Sequence, residues 1–335
     1  MARRSLWAAS LQRTLKALTR AGTRAVRASV KKAARKTKKK AAHPPATRRA
    51  GPAERWLSGV APSAAGARRY RLFKPPGSRR AAPLPLFVLL HGCDQDAASA
   101  ARSTRIGSLA AREGFIVLCP EQDRLANPHG CWNWFEMRSG RAAREAASII
   151  AAIDQACAMH GADPARVAIA GLSAGASMAA LLGASYPARF RAVAMHSGVA
   201  PGAASSAAGA MRAMRGHGAP PALPTTTALP PLLVIQGTRD SVVAPANGRI
   251  AAHWWAAAAS AAPTAMRKLQ RGQRYAMTVT DFKAASRIAV TLCEIDGLAH
   301  HWSGGVASLP YGDAKGPDAA RMIWAFAARA FKARA

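Results

Sequence analysis

Beyond about residue 69 the chain alternates short apolar runs with helical segments, and no other feature restricts its fold as strongly. Residues 70–73, 84–90, 115–119, 167–170, 192–196, 232–236 and 289–295 have strand length and strand composition. Between them the spacing predicts helices over 103–112, over 141–160 with Ile149, Ile150 and Ile153 on one side, over 174–184, and from about Asp318 to Lys332. Strands separated by helices predict the α/β class, with a mostly parallel sheet covered on both faces. The Ala-, Gly- and Pro-rich residues 201–231 are too many for an ordinary connection, and they predict a flexible excursion near the functional site, or a lid. No internal repeat is visible.

Half of the net charge of +32 sits in residues 1–50, which hold sixteen Lys and Arg and no acidic residue. Leu6, Trp7, Leu11, Leu15 and Leu18 recur at near-helical spacing among arginines, and the lysine run 31–40 then leads to Pro44-Pro45. Self-repulsion and the scarcity of bulky apolar residues predict a largely disordered basic arm over 1–68, ahead of a folded domain over 69–335. Such an arm is a solubilising tail, or it is drawn to nucleic acid, anionic lipid or a negatively charged granule by nonspecific electrostatics. The chain carries no zinc-finger spacing and no RNA-recognition signature, so a dedicated nucleic-acid reader is the weaker class.

At 335 residues and 50% hydrophobic composition, the chain as a whole is not a disordered protein. No run approaches the roughly 18 apolar residues of a membrane span, so no integral membrane segment is expected. Arg13, Lys16 and Arg20 interrupt the apolar residues near the start, which argues against a standard secretory signal. The five cysteines, Cys93, Cys119, Cys131, Cys157 and Cys293, form no CxxC pair. That number and spacing argue against a disulfide scaffold and a zinc site, and leave at least one thiol free. No metal and no cofactor is expected, and the chain reads as a monomer.

The chemistry concentrates at Gly171-Leu172-Ser173-Ala174-Gly175, between a predicted strand and a predicted Ala-rich helix. A serine on a sharp strand-to-helix turn needs small neighbours because the backbone there is strained and crowded. The five-residue pattern alone is weak; the strand before it and the helix after it give it weight. A serine hydroxyl needs an imidazole base, itself oriented by a carboxylate. Asp240 follows the apolar run 232–236, and His300-His301 follows 289–295, so acid and base come in the order expected after such a serine. Spacing does not choose between His300 and His301. The amides of Ala174 and Cys93 are the candidate oxyanion donors, because Ala174 follows the nucleophile and Cys93 follows the glycine-containing turn His91-Gly92 at the end of the run 84–90. His91 reads as scaffold, and His160 as a helix cap.

Five motifs in order resemble the poly(3-hydroxybutyrate) depolymerase family of esterases. They are Leu90-His91-Gly92-Cys93-Asp94-Gln95-Asp96, Pro120-Glu121-Gln122, Cys131-Trp132-Asn133-Trp134-Phe135, Ala170-Gly171-Leu172-Ser173-Ala174-Gly175 and Trp302-Ser303-Gly304-Gly305. The resemblance runs from about Arg69 to Phe331 and implies an α/β-hydrolase fold. It further implies serine ester hydrolysis of a hydroxyalkanoate polymer or its oligomers, through an acyl-enzyme. Feruloyl and acetylxylan esterases share the same broad group. The family's G-[LM]-G-H-x-W-S-G-G pattern puts the base at His300, two residues before Trp302, and this chain departs from it at Ala299 and His301. Cys93 and Cys131 both lie in family motifs and are candidates to pair, except in a reducing compartment, where they stay thiols.

Trp132, Trp134, Phe135 and Trp302 would supply a flat apolar wall for an aliphatic polyester; the competing reading is core packing. Asn133 reads as a side chain that stabilises its loop. The resemblance implies an extracellular enzyme, whereas the absence of a clear signal keeps cytoplasmic and granule-associated settings open. The alternative class is a non-enzymatic granule- or nucleic-acid-binding protein acting through residues 1–50.

Overall fold

The structure is a computed structural model that describes residues 56–77, 82–217 and 229–333. Residues 1–55, and with them the arm expected from the sequence, lie outside the described residues. The first described element lies ahead of residue 69. A strand β1, Trp56–Ala61, pairs antiparallel with β2, Arg68–Phe73, through the whole register from Trp56 opposite Phe73 to Ala61 opposite Arg68. Its apolar positions are interrupted by Ser58 and Gly59 and mostly exposed or half-buried, as befits an edge strand, and so it lacks the continuous run that betrays a central one.

The remaining strands are β3 (Leu84–Leu90), β4 (Ile116–Pro120), β5 (Ala162–Leu172), β6 (Ala192–His196), β7 (Leu232–Gly237), β8 (Ala262–Pro263), β9 (Arg267–Leu269), β10 (Met277–Ala284) and β11 (Arg287–Ile295). Among the described residues they form one sheet in the order β1-β2-β4-β3-β5-β6-β7-β11-β10-β8, with β9 also on β10. From β4 to β11 every pairing is parallel, and both flanks are antiparallel. The parallel centre is the part the apolar runs predict. The flanks were harder to read because β10 has one face against the core and alternates less cleanly.

Helices α1 (Ala97–Thr104), α2 (Ile106–Glu113) and α7 (Ala319–Lys332) lie on one face; α3 (Arg141–His160), α4 (Ala174–Ser185) and α6 (Ala246–Ala258) lie on the other. Each face has its own apolar cluster. Ile149, Ile153, Met178, Leu182 and Trp255 belong to one, and Ile106, Leu109, Phe115, Ile323 and Phe326 to the other. Helix α4 has no polar stripe, since ten of its twelve residues are buried, and this is the pattern of a helix packed on all sides.

The helix predicted over 103–112 is two helices. Asp96 and Ser99 cap α1 reciprocally, and Arg105, at φ 55°, breaks the helix before α2. The guanidinium of Arg105 is tied to the Gly304 carbonyl at 2.6 Å, a tertiary bond that local spacing cannot reveal. The excursion over 201–231 contains a capped helix α5, Ala207–Met214, while its residues 218–228 lie outside the described residues. Two short strands, β12 (Trp302–Ser303) and β13 (Gly312–Asp313), form a separate ladder after the sheet. Among the described residues no helix is long and apolar enough to cross a membrane.

Candidate active site

Strand order reverses at β3: the chain goes from β3 to β4 on one side, then crosses to β5 on the other. The carboxyl ends of β3 and β5 therefore diverge around a crevice, where α/β sheets assemble their sites. Ser173 stands at that place, between β5 and α4, with φ 57° and ψ −121°. This is a left-handed backbone for a residue that carries a Cβ, as a sharp elbow demands. The flanking glycines follow from crowding. A Cβ on Gly171 would fall 2.3 Å from the Gly175 carbonyl, and one on Gly175 would fall 2.4 Å from the Leu90 carbonyl oxygen. The Ser173 amide donates to the His196 carbonyl of β6 at 2.9 Å, which pins the elbow to the next strand.

The loop after β3 lies beside this serine, since a Cβ on Gly92 would sit 3.6 Å from the Ser173 Cβ. Several bonds fix the loop. The His91 ring accepts the Gln122 amide on Nε2 at 3.1 Å, so its proton is on Nδ1 and is donated to the Gly92 carbonyl at 2.8 Å. Trp132 Nε1 donates to the His91 carbonyl at 3.0 Å, and the Gly92 amide donates to Gln95 Oε1 at 2.9 Å. Cys93 and Cys131 form a disulfide, while Cys119, Cys157 and Cys293 are free. Ala174 opens α4, where the first amides of a helix have no partner within it. Asn133 bonds Glu145 through its amide at 2.9 Å and its Nδ2 at 2.6 Å, anchoring the 131–135 loop.

On the other side, β7 ends in the turn that carries Asp240, and β11 leads to His300. The His300 ring donates from Nδ1 to Asp240 Oδ2 at 2.9 Å; it is this ring, and not that of His301, that meets the carboxylate. Asp240 Oδ1 accepts the amides of Val242 at 3.0 Å and Val243 at 2.8 Å, and Oδ2 also accepts Gln236 Nε2 at 3.2 Å. Ala299 has an ordinary negative φ, so the family's glycine is not required there; the left-handed residue of this turn is Gly297, at φ 78°.

Burial alone would raise the pKa of Asp240. The hydrogen bond and charge of His300, with the Val243 amide and the Ser197 hydroxyl, outweigh it and hold the carboxyl below the usual carboxylate range. Two other histidines are buried close by. Burial pushes His91 down to about 4 and His196 down to about 3, so both are neutral at physiological pH. The sequence reading gave no role to His196, Ser197 or Gln236. Their signal was polar side chains at the ends of otherwise apolar strands, which the fold brings to the site.

The apolar wall expected of the tryptophans is not at the surface. Trp132 is 0% exposed, Trp134 5% and Trp302 1%, so all three are core residues. Trp132 lies under the Arg68 guanidinium, 5.2 Å from its ring, and Trp302 stacks on His196 with ring centroids 5.2 Å apart. The Trp132 indole bond to the His91 carbonyl and the stack of Trp302 on His196 hold these rings beneath the loops they support rather than in solvent. A cavity of about 1230 Å³ between α7 and the β9–β10 edge is lined by none of Ser173, Asp240 or His300.

A parallel sheet with antiparallel flanks, a left-handed serine at its crevice and an acid and a base on later strands define an α/β-hydrolase. The model of the esterase PHB depolymerase family matches residues 68–255, more than half of the chain, and the chain belongs to that family. That match contains Ser173 and Asp240 but stops short of His300. Over 118 residues the chain is 41% identical to poly(3-hydroxyalkanoate) depolymerase C of Paucimonas lemoignei, covering 35% of this chain and 28% of that protein. Over 127 residues it is 35% identical to feruloyl esterase B of Neurospora crassa, covering 37% and 42%. The chain thus spans less than half the length of these curated relatives. The fold is similar to that of an acetyl xylan esterase from Aspergillus awamori, with TM-score 0.59, 19% identity, and 73% of this chain and 94% of that one covered.

Proposed function

We propose that the chain is a serine ester hydrolase that cleaves poly(3-hydroxybutyrate) or related hydroxyalkanoate oligomers through an acyl-enzyme on Ser173. The observation that carries this reading is the bond from His300 Nδ1 to Asp240 Oδ2, because it fixes the tautomer that leaves Nε2 as a base. In this mechanism Nε2 takes the Ser173 proton as Oγ attacks the ester carbonyl. The oxyanion is met by the Cys93 and Ala174 amides, and Asp240, which stays ionised, stabilises the imidazolium. His300 then protonates the departing alcohol, and next activates the water that releases the acid and restores Ser173.

Esters of hydroxycinnamic acids or acetylated sugars are the second reading, supported by the relative and the structural neighbour with those names. Turnover of p-nitrophenyl butyrate tests the reaction class, and wild-type protein with no turnover would end the hydrolase reading. Amorphous polyhydroxybutyrate, hydroxybutyrate dimers, a feruloyl ester and an acetylated sugar, assayed side by side, choose the substrate; preference for either of the last two overturns the polyester assignment. The Cys93–Cys131 disulfide supports an oxidising, extracellular setting. We assign residues 1–50 to attachment at an anionic surface, so deleting them leaves turnover of a soluble ester unchanged. Pelleting with anionic vesicles or polymer granules then weakens at low salt, and equal pelleting of both forms would make the arm only a solubilising tail.

A further inference from the structure

Strand β6 ends in a turn that the mechanism above does not use. After His196 comes Ser197, fully buried and at φ 55°, a backbone that favours glycine, and its amide continues the sheet by donating to the Ile235 carbonyl of β7 at 2.9 Å. A buried serine kept in that conformation calls for a reason, and its side chain supplies one.

The His196 Nε2 accepts the Ser303 amide at 3.1 Å. An amide only donates, so this nitrogen is bare and the ring proton is on Nδ1, which lies 3.2 Å from Ser197 Oγ. The hydroxyl oxygen accepts that proton and keeps its own hydrogen free to donate, and the Ser197 hydroxyl is among the groups that hold the Asp240 carboxyl low. A one-way chain of donors results, from the Ser303 amide through His196 to the Ser197 hydroxyl. His196 also accepts the Ser173 amide on its backbone carbonyl and stacks its ring on Trp302. Two adjacent residues thereby touch the elbow of the nucleophile and the segment three residues past the base, and one of them acts on the charge of the acid, although neither belongs to the reacting set.

We infer that His196 and Ser197 are positioning residues: the neutral imidazole holds the 300–303 segment in register with Ser173, and the Ser197 hydroxyl fixes the Asp240 carboxylate against His300. This rests on the assignment of Ser173, Asp240 and His300 proposed above. The groups facing the network are Asp240 from the β7 turn and His300 from the segment after β11, and both act electrostatically on His196. Burial that pushes His196 to about 3 keeps its Nε2 an acceptor throughout the range in which a histidine base works. A protonated ring would have no lone pair for the Ser303 amide.

The decisive variant is Ser197→Gly, because glycine suits the left-handed backbone and removes only the hydroxyl. It should fold with a Tm close to wild type, yet lose about ten- to hundred-fold in kcat on p-nitrophenyl butyrate with KM unchanged, as expected for one hydrogen bond to a charged group. With one donor fewer, the carboxylate stabilises the His300 imidazolium more, so the acidic limb of kcat/KM moves to higher pH. His196→Phe keeps the stack on Trp302 and should lower kcat similarly, and His196→Gln, which restores an acceptor for the Ser303 amide, should recover part of it. Wild-type kcat and an unmoved limb in Ser197→Gly would overturn the inference. The His300 titration, followed by NMR in wild type and Ser197→Gly, separates this result from the fate of the hydrolase reading. An upward shift supports the network even in a protein that turns over no ester, and no shift overturns it.

Discussion

The two sides of Ser173 are held by different means. The side proposed to meet the oxyanion is closed covalently: Cys93 is tied to Cys131, and the His91 ring, the Trp132 indole and Gln95 lock the backbone around it. The acid and base side has no covalent tie. Asp240 is held by four hydrogen bonds, from His300, Gln236 and the amides of Val242 and Val243. Amides that serve as oxyanion donors act by not moving, so rigidity is all they need. Groups that exchange a proton must also keep their charge balanced, and hydrogen bonds tune charge while a disulfide does not. Redox conditions should therefore act on the first side and acidity on the second.

The largest effect is expected where both sides meet. Ser173→Ala, Asp240→Ala and His300→Ala should each lower kcat by roughly 10³- to 10⁶-fold on a p-nitrophenyl ester, and the double variants by little more, because such residues act as a unit. His301→Ala should stay near wild type; the reverse pattern for the two histidines would reassign the base.

Breaking only the covalent side is the next test. Cys131→Ser, or reduction of the wild-type disulfide, should lower kcat by up to about 10²-fold, the scale of one displaced oxyanion donor. The acidic limb of the pH profile should not move, because Asp240 and His300 are untouched. A moved limb would show that the two sides are not independent.

Acidification sharpens the contrast through stability. His91 and His196 have folded pKa values of about 4 and about 3, below the ordinary histidine value near 6.5. Below about pH 6.5 the unfolded chain takes up protons that the folded chain refuses, so stability falls as pH drops towards 4, by about 1.4 kcal/mol per unit for each histidine. Asp240 has the same sign in a lower window, since its depressed pKa gives a contribution present above the usual carboxylate value and lost as pH falls through the folded one. Urea titrations between pH 7 and 4.5 measure the slope, and His91→Gln should flatten it.

The smallest effect belongs to Gln236, whose Nε2 spans Asp240 Oδ2 and the Val243 carbonyl. Gln236→Leu should cost less than about tenfold in kcat, because the two amides on Oδ1 remain. A loss as large as that of Asp240→Ala would mean that the glutamine, and not the turn amides, sets the carboxylate.

Much of this was legible in the chain. Continuous apolar runs identified the parallel centre, and the helix over 141–160 was readable end to end from its helical spacing, with Ile149, Ile150 and Ile153 on one side. Gly171, Ser173 and Gly175 announced the elbow because steric crowding admits only glycine at the outer two positions. Edge strand β1 was missed, since an exposed edge carries no apolar run, and α1 and α2 were merged because the break at Arg105 depends on Gly304, far along the chain.

What the sequence determined by itself was local: the α/β alternation, the strained serine turn and the order of serine, acid and histidine, each written in spacing and side-chain size. Tertiary structure alone decided which tryptophans are withdrawn into the core. It also decided that His196 and Ser197 join the site. These depend on hydrogen bonds and burial between residues tens to more than a hundred positions apart, and no local pattern encodes them.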